Sequence, residues 1–481
     1  MGAQRMSNAD AAWLHMDRPT NLMVVNALMW FDEPLDFERS REIVRERLVG
    51  RFPRFSQRIA DPPLGIGVPS WEDDPGFDID LHLHRLALPA PGDDAALQAL
   101  AADLMVTPLD RSKPLWHMYH IDGYGQGTAV LSRMHHCIAD GIALTRVLLS
   151  LTDSQPDAGL APAAEPAARR GRAAALAAPA QAGAHAAEAL LHEGFELAAH
   201  PRSALPGLLG RVGDDGRALA KLLLPGPDAP SIFRGELGVA RRVAWTGRIP
   251  LADVSAIGHA TGTTVNDVVL AAVSGALHQY LAARGDDVDE IRAMVPFNLR
   301  PLDEPLPRDL GNRFGLVYLT LPVGRATPAQ RLAEVHRRMA EIKRSQEGPV
   351  SYAILGLIGA TPVPVERRLI DVFAPKTTAV MTNVPGPREP IWFAGAKVAG
   401  VLGWVPASGS IGMGLSIFSY DGGIRIGLQV DAGLVPDPGR IIDAIGDELD
   451  ALRRPRRGAR RRSASRPTRA GGASRKTAPR R

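Results

Sequence analysis

The chain has 481 residues, 45% of them hydrophobic, which allows two or three domains around a large core and excludes a disordered polymer. A single cysteine, Cys137, excludes a disulfide scaffold and any multi-cysteine metal site, and it suits a reducing compartment. The formal charge of +4 is unevenly placed: Arg453–Arg481 holds thirteen basic residues and no acid, leaving the remainder at −9, so the run reads as a solvated tail that can attract anionic lipid.

In chain order, the first stretch alternates strand and helix. Leu22–Phe31 is an apolar run suited to a buried strand, and Asp36–Phe52 has helical spacing with acids in its first turn. Leu81–Leu88 alternates as a strand with His82 and His84 on one face, and Ala95–Met105 reads as a helix. Trp116–Ile121 and Ala129–Met134 read as strands joined through the glycine-rich Gly123–Gly127. Pro156–Pro179 is an Ala/Pro-rich linker, followed by short amphipathic pieces around Leu190–Leu197 and Leu219–Leu224.

From about Leu237 the alternation resumes. Val239–Trp245, Ile291–Pro296, Phe314–Leu321, Val380–Val384 and Val398–Val405 read as strands. Asn266–Leu281 and Thr327–Ile342 read as helices, Leu415–Tyr420 and Ile424–Val430 as a hairpin, and Pro438–Leu452 as a closing helix. The predicted architecture is α/β in two lobes, residues 1–152 and 237–452, with a linker at 153–236 and a basic tail at 453–481. No 18-residue run is apolar throughout and the first twenty residues lack an apolar leader core, so the expectation is a cytoplasmic protein, peripheral at most on a membrane or lipid inclusion through its tail. A specific nucleic-acid partner is not expected, because the body lacks basic patches interleaved with aromatics.

The strongest chemical signal is His135-His136-Cys137-Ile138-Ala139-Asp140-Gly141, placed where an apolar strand gives way to an apolar helix. A neutral imidazole there can take a proton from an alcohol or thiol. Asp140, one turn on, can pair or orient the loop, and Gly141 keeps the approach open and permits unusual backbone angles. The plainer reading is a solvated histidine pair before an aspartate helix cap. A metal site is disfavoured, because adjacent side chains diverge on a strand and no third clustered ligand follows.

His135-His136-xxx-Asp140-Gly141 is similar to the HHxxxDG motif of the acyl-CoA-dependent acyltransferases, which include the chloramphenicol acetyltransferases, peptide-synthetase condensation domains and bacterial wax ester synthase/diacylglycerol acyltransferases. The chain resembles the last group over about residues 6–452. Ser7–Trp13, Pro114-Leu115-Trp116, Asn266-Asp267, Val295–Arg300, Gly311-Asn312-Arg313 and Asn383-Val384-Pro385-Gly386-Pro387 match its further segments in order. The resemblance implies two chloramphenicol-acetyltransferase-like lobes, each a mixed sheet with flanking helices, and an active site in a tunnel between them. It implies His136 as general base, His135 in support and Asp140 holding the loop through an arginine. The implied substrates are acyl-CoA and diacylglycerol or a long-chain alcohol, with no metal and no cofactor beyond acyl-CoA as co-substrate.

On the residues themselves, Asn266 reads equally as a positioning group or a helix cap, and Asn383 as a turn residue, which the resemblance places near the tunnel. Trp116 reads as a packing anchor that also shapes the acyl passage. Two other functions fit the same pattern: transfer from a carrier-protein thioester, as in a freestanding condensation or polyketide-associated enzyme, and a catalytically silent lipid-droplet surface protein.

Overall fold

The computed structural model describes residues 3–62, 67–156, 225–300, 304–324, 326–345, 347–358 and 363–454, with 159, 221 and 361 singly. The Ala/Pro-rich linker, the amphipathic pieces after it and the basic tail lie almost wholly outside the described residues.

Two mixed sheets carry the fold. The first has six strands in the order Trp392–Phe393, Ala396–Trp404, Val24–Phe31, Gly127–His135, Trp116–Tyr124 and Leu83–Ala87, antiparallel except for the last pair. Its Gly127–His135 strand is buried along its whole length, as expected of an apolar segment flanked by strands on both sides. The hairpin before it turns through Gly123 (φ 82°) and Gly125 (φ 57°), angles that glycine adopts without strain. The second sheet runs Phe314–Pro322, Glu290–Asn298, Ala379–Pro385, Met413–Tyr420, Gly423–Asp431 and Arg241–Trp245, with Ile249–Pro250 pairing on the fifth strand. Its two central pairings, on either side of Ala379–Pro385, are parallel.

The helices start where short polar side chains can satisfy free amides. Asp36, Asp93 and Thr327 cap Phe37–Ile43, Asp94–Met105 and Pro328–Ile342, the last with proline in its first turn. The segment expected as one helix over Asp36–Phe52 widens into a π-helical turn at Val44–Val49, which carries the buried Arg47. Four helices among the described residues escape the periodicity reading: Asn8–His15, Leu251–Thr261, Glu347–Ile358 and Val363–Phe373. The last two hold prolines near their starts, which mimic loop signals.

One strand departs from chain order. Ala396–Trp404 belongs by sequence to the second lobe, yet it pairs with Val24–Phe31 and extends the first lobe's sheet. The lobes are further joined by one continuous core in which Trp245 lies against Trp30 and Trp404. The Tyr420 hydroxyl donates to the Val398 carbonyl at 3.0 Å, tying the second sheet to the crossing strand. A second core surrounds the buried helix Val265–Ala282.

Candidate active site

The strand Gly127–His135 ends beneath the junction of the two lobes, and the chain turns at once into the helix Gly141–Leu149. Asp140 caps that helix: its Oδ1 accepts the Ala143 amide at 2.8 Å, and its Oδ2 accepts the backbone N–H of Arg313 at 3.1 Å. The expectation that Asp140 holds the loop through a guanidinium is therefore corrected. The contact is with the Arg313 main chain, and that guanidinium lies 3.6 Å from Glu304. Gly141 is the first helical residue and has no left-handed angle; what favours glycine is space, since a Cβ would sit 3.3 Å from Val405 Cγ1.

The second lobe clamps the motif from the other side. Gly311 donates its N–H to the Ile138 carbonyl at 3.1 Å. The Asn312 side-chain amide donates to the His136 carbonyl and to Asp10 Oδ1, both at 2.8 Å, and the Asn312 N–H reaches the same Asp10 oxygen at 3.0 Å. Gly311 turns at φ 91°, a conformation that disfavours any side chain. Burial raises the Asp10 carboxyl despite its hydrogen bonds from Ser7 and Asn312.

His136 is 4% exposed and stacks on Trp13 at 4.2 Å between ring centroids, with Phe314 tilted against it at 5.5 Å. Burial lowers its pKa to about 4, while the neighbouring Asp140 charge pulls the other way. The ring is thus neutral near pH 7 and able to accept a proton. The sign for stability follows. The unfolded chain takes a proton near 6.5 and the folded chain resists until about 4, so folding free energy is lost as pH falls through that window. For His136 the loss is on the order of 3 kcal/mol, and urea midpoints that stay constant from pH 7 to 4.5 would contradict it.

His135 is buried on the other side of the strand end. Its Nδ1 accepts the Cys137 amide at 3.1 Å, which places the ring proton on Nε2, 3.5 Å from Asp17 Oδ2. Burial would raise the Asp17 carboxyl, but His135 and the Met23 amide outweigh it and the net shift is downward. Cys137 is fully buried and burial raises its thiol pKa, which fits packing and not nucleophilic attack.

His136 borders a cavity of about 1070 Å³, mouth included, between the two sheets. Asp140 and Gly141 line it, as do Phe314, Ser416 and the crossing strand. Its floor holds a row of small residues, because Gly403 registers with Ala27 and Ala27 with Ser132 across three strands. Larger residues, Met29 with Val401 and Val25 with Met134, flank that row.

Of the expected site residues, His136, Asp140 and Gly141 line the cavity and Asn383 stands at its rim, whereas His135 does not border it and faces Asp17 instead. The Asn383 amide donates to Asn266 Oδ1 at 2.7 Å, so Asn266 stands one residue back from the cavity. The cap of its helix is Thr264 in a reciprocal box with Asp267, which corrects the capping reading of Asn266. Trp116 does not border the cavity. It is fully buried in the first lobe, donating to the Phe55 carbonyl at 2.9 Å and stacking on His82, which corrects its expected share in the acyl passage. Sequence reasoning left Trp13, Asn312, Phe314, Asp10 and Asp17 without roles, although Trp13, Asp10 and Asn312 stand inside segments it had singled out. Among the described residues no three His, Cys, Asp or Glu side chains are grouped to hold a metal ion.

Comparison with known proteins gives the arrangement a family. A probable diacylglycerol O-acyltransferase of Mycobacterium tuberculosis is 30% identical over 435 residues, covering 85% of this chain and 88% of that protein. The structure of a wax ester synthase/diacylglycerol acyltransferase from Marinobacter aquaeolei VT8 superposes with a TM-score of 0.65 at 21% identity, covering 93% of this chain and 98% of that one. The first condensation domain of the calcium-dependent antibiotic synthetase shares the fold at a TM-score of 0.57 and 17% identity, covering 94% and 96%. The wax ester synthase/diacylglycerol acyltransferase catalytic domain matches residues 6–269 and the family's C-terminal domain residues 310–453, and the chain belongs to that family.

Proposed function

We propose that the protein is an O-acyltransferase that moves a fatty acyl group from acyl-CoA to the hydroxyl of diacylglycerol or a long-chain alcohol, with His136 as the base. The observation that carries the reading is a neutral, buried imidazole on the wall of a large apolar cavity between the lobes. His136 removes the hydroxyl proton as the oxygen attacks the thioester carbonyl. The tetrahedral intermediate collapses with loss of CoA thiolate, which takes the proton back from the imidazolium. A positioned base contributes roughly 10²–10⁴-fold, and holding two lipid substrates in register supplies much of the remainder. No residue needs to form a covalent acyl intermediate, and no metal or cofactor is assigned a step.

The test is transfer by the purified chain from labelled palmitoyl-CoA to dioleoylglycerol or hexadecanol, with a palmitoyl carrier-protein thioester as a competing donor. Triacylglycerol or wax ester formed from the CoA thioester supports the reading. Product from the carrier thioester alone replaces it with the condensation-type enzyme, and droplet binding without turnover replaces it with the surface protein. Among the described residues no helix is long and apolar enough to cross a membrane. Contact between the arginine-rich tail and anionic lipid belongs to the same proposal and rests on charge alone.

The small-residue floor gives a graded prediction. Leucine at Ala27 fills the row between Gly403 and Ser132. The kcat/KM ratio of palmitoyl-CoA to hexanoyl-CoA is expected to fall about tenfold or more, because a few methylenes of lost pocket translate into such factors. An unchanged ratio would remove the acyl chain from this floor.

A further inference from the structure

Both lobes seat His136, and its two peptide groups meet different partners. The His136 N–H donates to the Met23 carbonyl of the first lobe at 2.7 Å. Its carbonyl accepts the Asn312 side-chain amide of the second lobe at 2.8 Å. Asn312 is the middle of three successive residues whose main-chain N–H groups all donate across the lobe junction. Gly311 donates to the Ile138 carbonyl, Asn312 to Asp10 Oδ1 and Arg313 to Asp140 Oδ2.

Asp10 sets the direction of the Asn312 side chain. One oxygen, Oδ1, accepts both the Asn312 main-chain N–H at 3.0 Å and its side-chain NH₂ at 2.8 Å. The other proton of that NH₂ goes to the His136 carbonyl. Turned over, the amide would set its own oxygen against both acceptors, between two buried residues. Asp10 and Trp13 stand three residues apart on the helix Asn8–His15, hence on one face of it. That face holds His136 twice, its ring against Trp13 and its carbonyl through Asn312. An acid in the first turn that served only the helix dipole could remain in water. Asp10 is buried, and burial raises its carboxyl pKa, so its place is explained by the contacts it accepts.

We propose that Asp10 is a positioning residue for the acyl transfer, acting through Asn312 to fix the peptide that carries the His136 ring. The proposal rests on the acyltransferase reading and adds to it a residue that does not line the cavity. Without the Asp10 oxygen, two Asn312 N–H groups are buried with no acceptor, and the side chain turns to recover one. The His136 carbonyl is then released, and its peptide rotates and carries the ring off Trp13. A displacement of about 1 Å at a reacting group costs on the order of 10²-fold in rate. The working feature is the acceptor oxygen and not the charge, since a single oxygen takes both Asn312 donors.

Asp10→Ala is expected to lower kcat for transfer from palmitoyl-CoA to hexadecanol by about 10–100-fold, with KM within about threefold. Asp10→Asn keeps an oxygen in place and is expected to retain most of the rate. Asn312→Ala releases the His136 carbonyl from the other end and is expected to match Asp10→Ala. The double variant is expected to lose no more than either single one, because the two residues act as one unit. A second readout needs no turnover. The His136 ring stacks on Trp13, so its Cε1 proton carries a ring-current shift, assigned in histidine-labelled protein by its loss in His136→Ala. That shift is expected to collapse in Asp10→Ala and in Asn312→Ala and to persist in Asp10→Asn.

A wild-type kcat in Asp10→Ala, or a lost rate with the His136 resonance unmoved, would overturn the proposal. Losses that add in the double variant would overturn it as well. Asp10→Asn as slow as Asp10→Ala would do so by making the charge the cause. Should Asp10→Ala fail to fold, Asn312→Ala decides, and an unmoved resonance there would end the proposal. A protein that transfers nothing but moves its His136 resonance as expected would sink the acyltransferase reading and leave the positioning standing. Transfer at an unchanged rate in both alanine variants would do the reverse.

Discussion

Replacing His136 with alanine is expected to cut kcat by roughly 10²–10⁴-fold while the protein stays folded. The fold survives because the contacts that seat this residue are made by its main chain. Its N–H donates to the Met23 carbonyl at 2.7 Å, and its carbonyl accepts the Asn312 amide at 2.8 Å. What alanine removes is the ring, its stack on Trp13 and the proton acceptor. The pH profile gives a second signature. A base whose pKa lies near 4 is already neutral at pH 6, so wild-type kcat/KM is expected to hold level from pH 8 to about 5 and fall below that. An alanine variant that keeps more than a few per cent of activity would remove His136 from the role of base. An acid limb near the ordinary 6.5 would show that burial does not tune the ring in the free enzyme.

The parts of the site that sequence made legible are those whose chemistry is contiguous. Seven consecutive residues carry both histidines, the aspartate and the glycine, and the strand-to-helix change around them shows in the apolar pattern. Helix starts at Asp36 and Thr327 are legible for the same reason, because a cap acts within three residues. Thr264 against Asn266 shows the limit. Both are good capping types, and the outcome depends on which one meets Asp267 three residues on. Contacts made over long sequence separation leave no such mark. Asp10 meets Asn312 across 302 positions, and Trp13 meets His136 through packing alone. The crossing of Ala396–Trp404 into the first sheet is also hidden, since an apolar strand carries the same pattern whichever sheet accepts it. Trp116 divides the two cases: the packing-anchor reading, which follows from its size, holds, and the share in the acyl passage suggested by its motif does not.

Asparagine at Asp140 keeps the shape of the side chain and is nonetheless expected to be costly. Both carboxylate oxygens accept main-chain N–H groups, one from Ala143 and one from Arg313. An amide offers a single acceptor, so in either orientation its NH₂ opposes an N–H in a site 3% exposed. The unsatisfied pair is expected to lower stability by about 1–3 kcal/mol, read from the urea midpoint. The negative charge is lost too. Burial is the larger influence on His136 and drives its pKa down, and the Asp140 charge is the strongest force in the opposite direction. Without it the imidazolium formed during proton transfer is less stable, so kcat is expected to fall about tenfold or more with KM little changed. Serine separates the two roles, because it can cap Gly141–Leu149 through Ala143 but cannot reach Arg313 as a second acceptor and carries no charge. If Asp140 were a helix cap alone, Asp140→Ser would turn over like the wild type. The clamp onto Gly311–Arg313 and the charge facing His136 instead require the serine variant to keep its helix and lose its rate, and a serine enzyme at full kcat would reduce Asp140 to a structural cap.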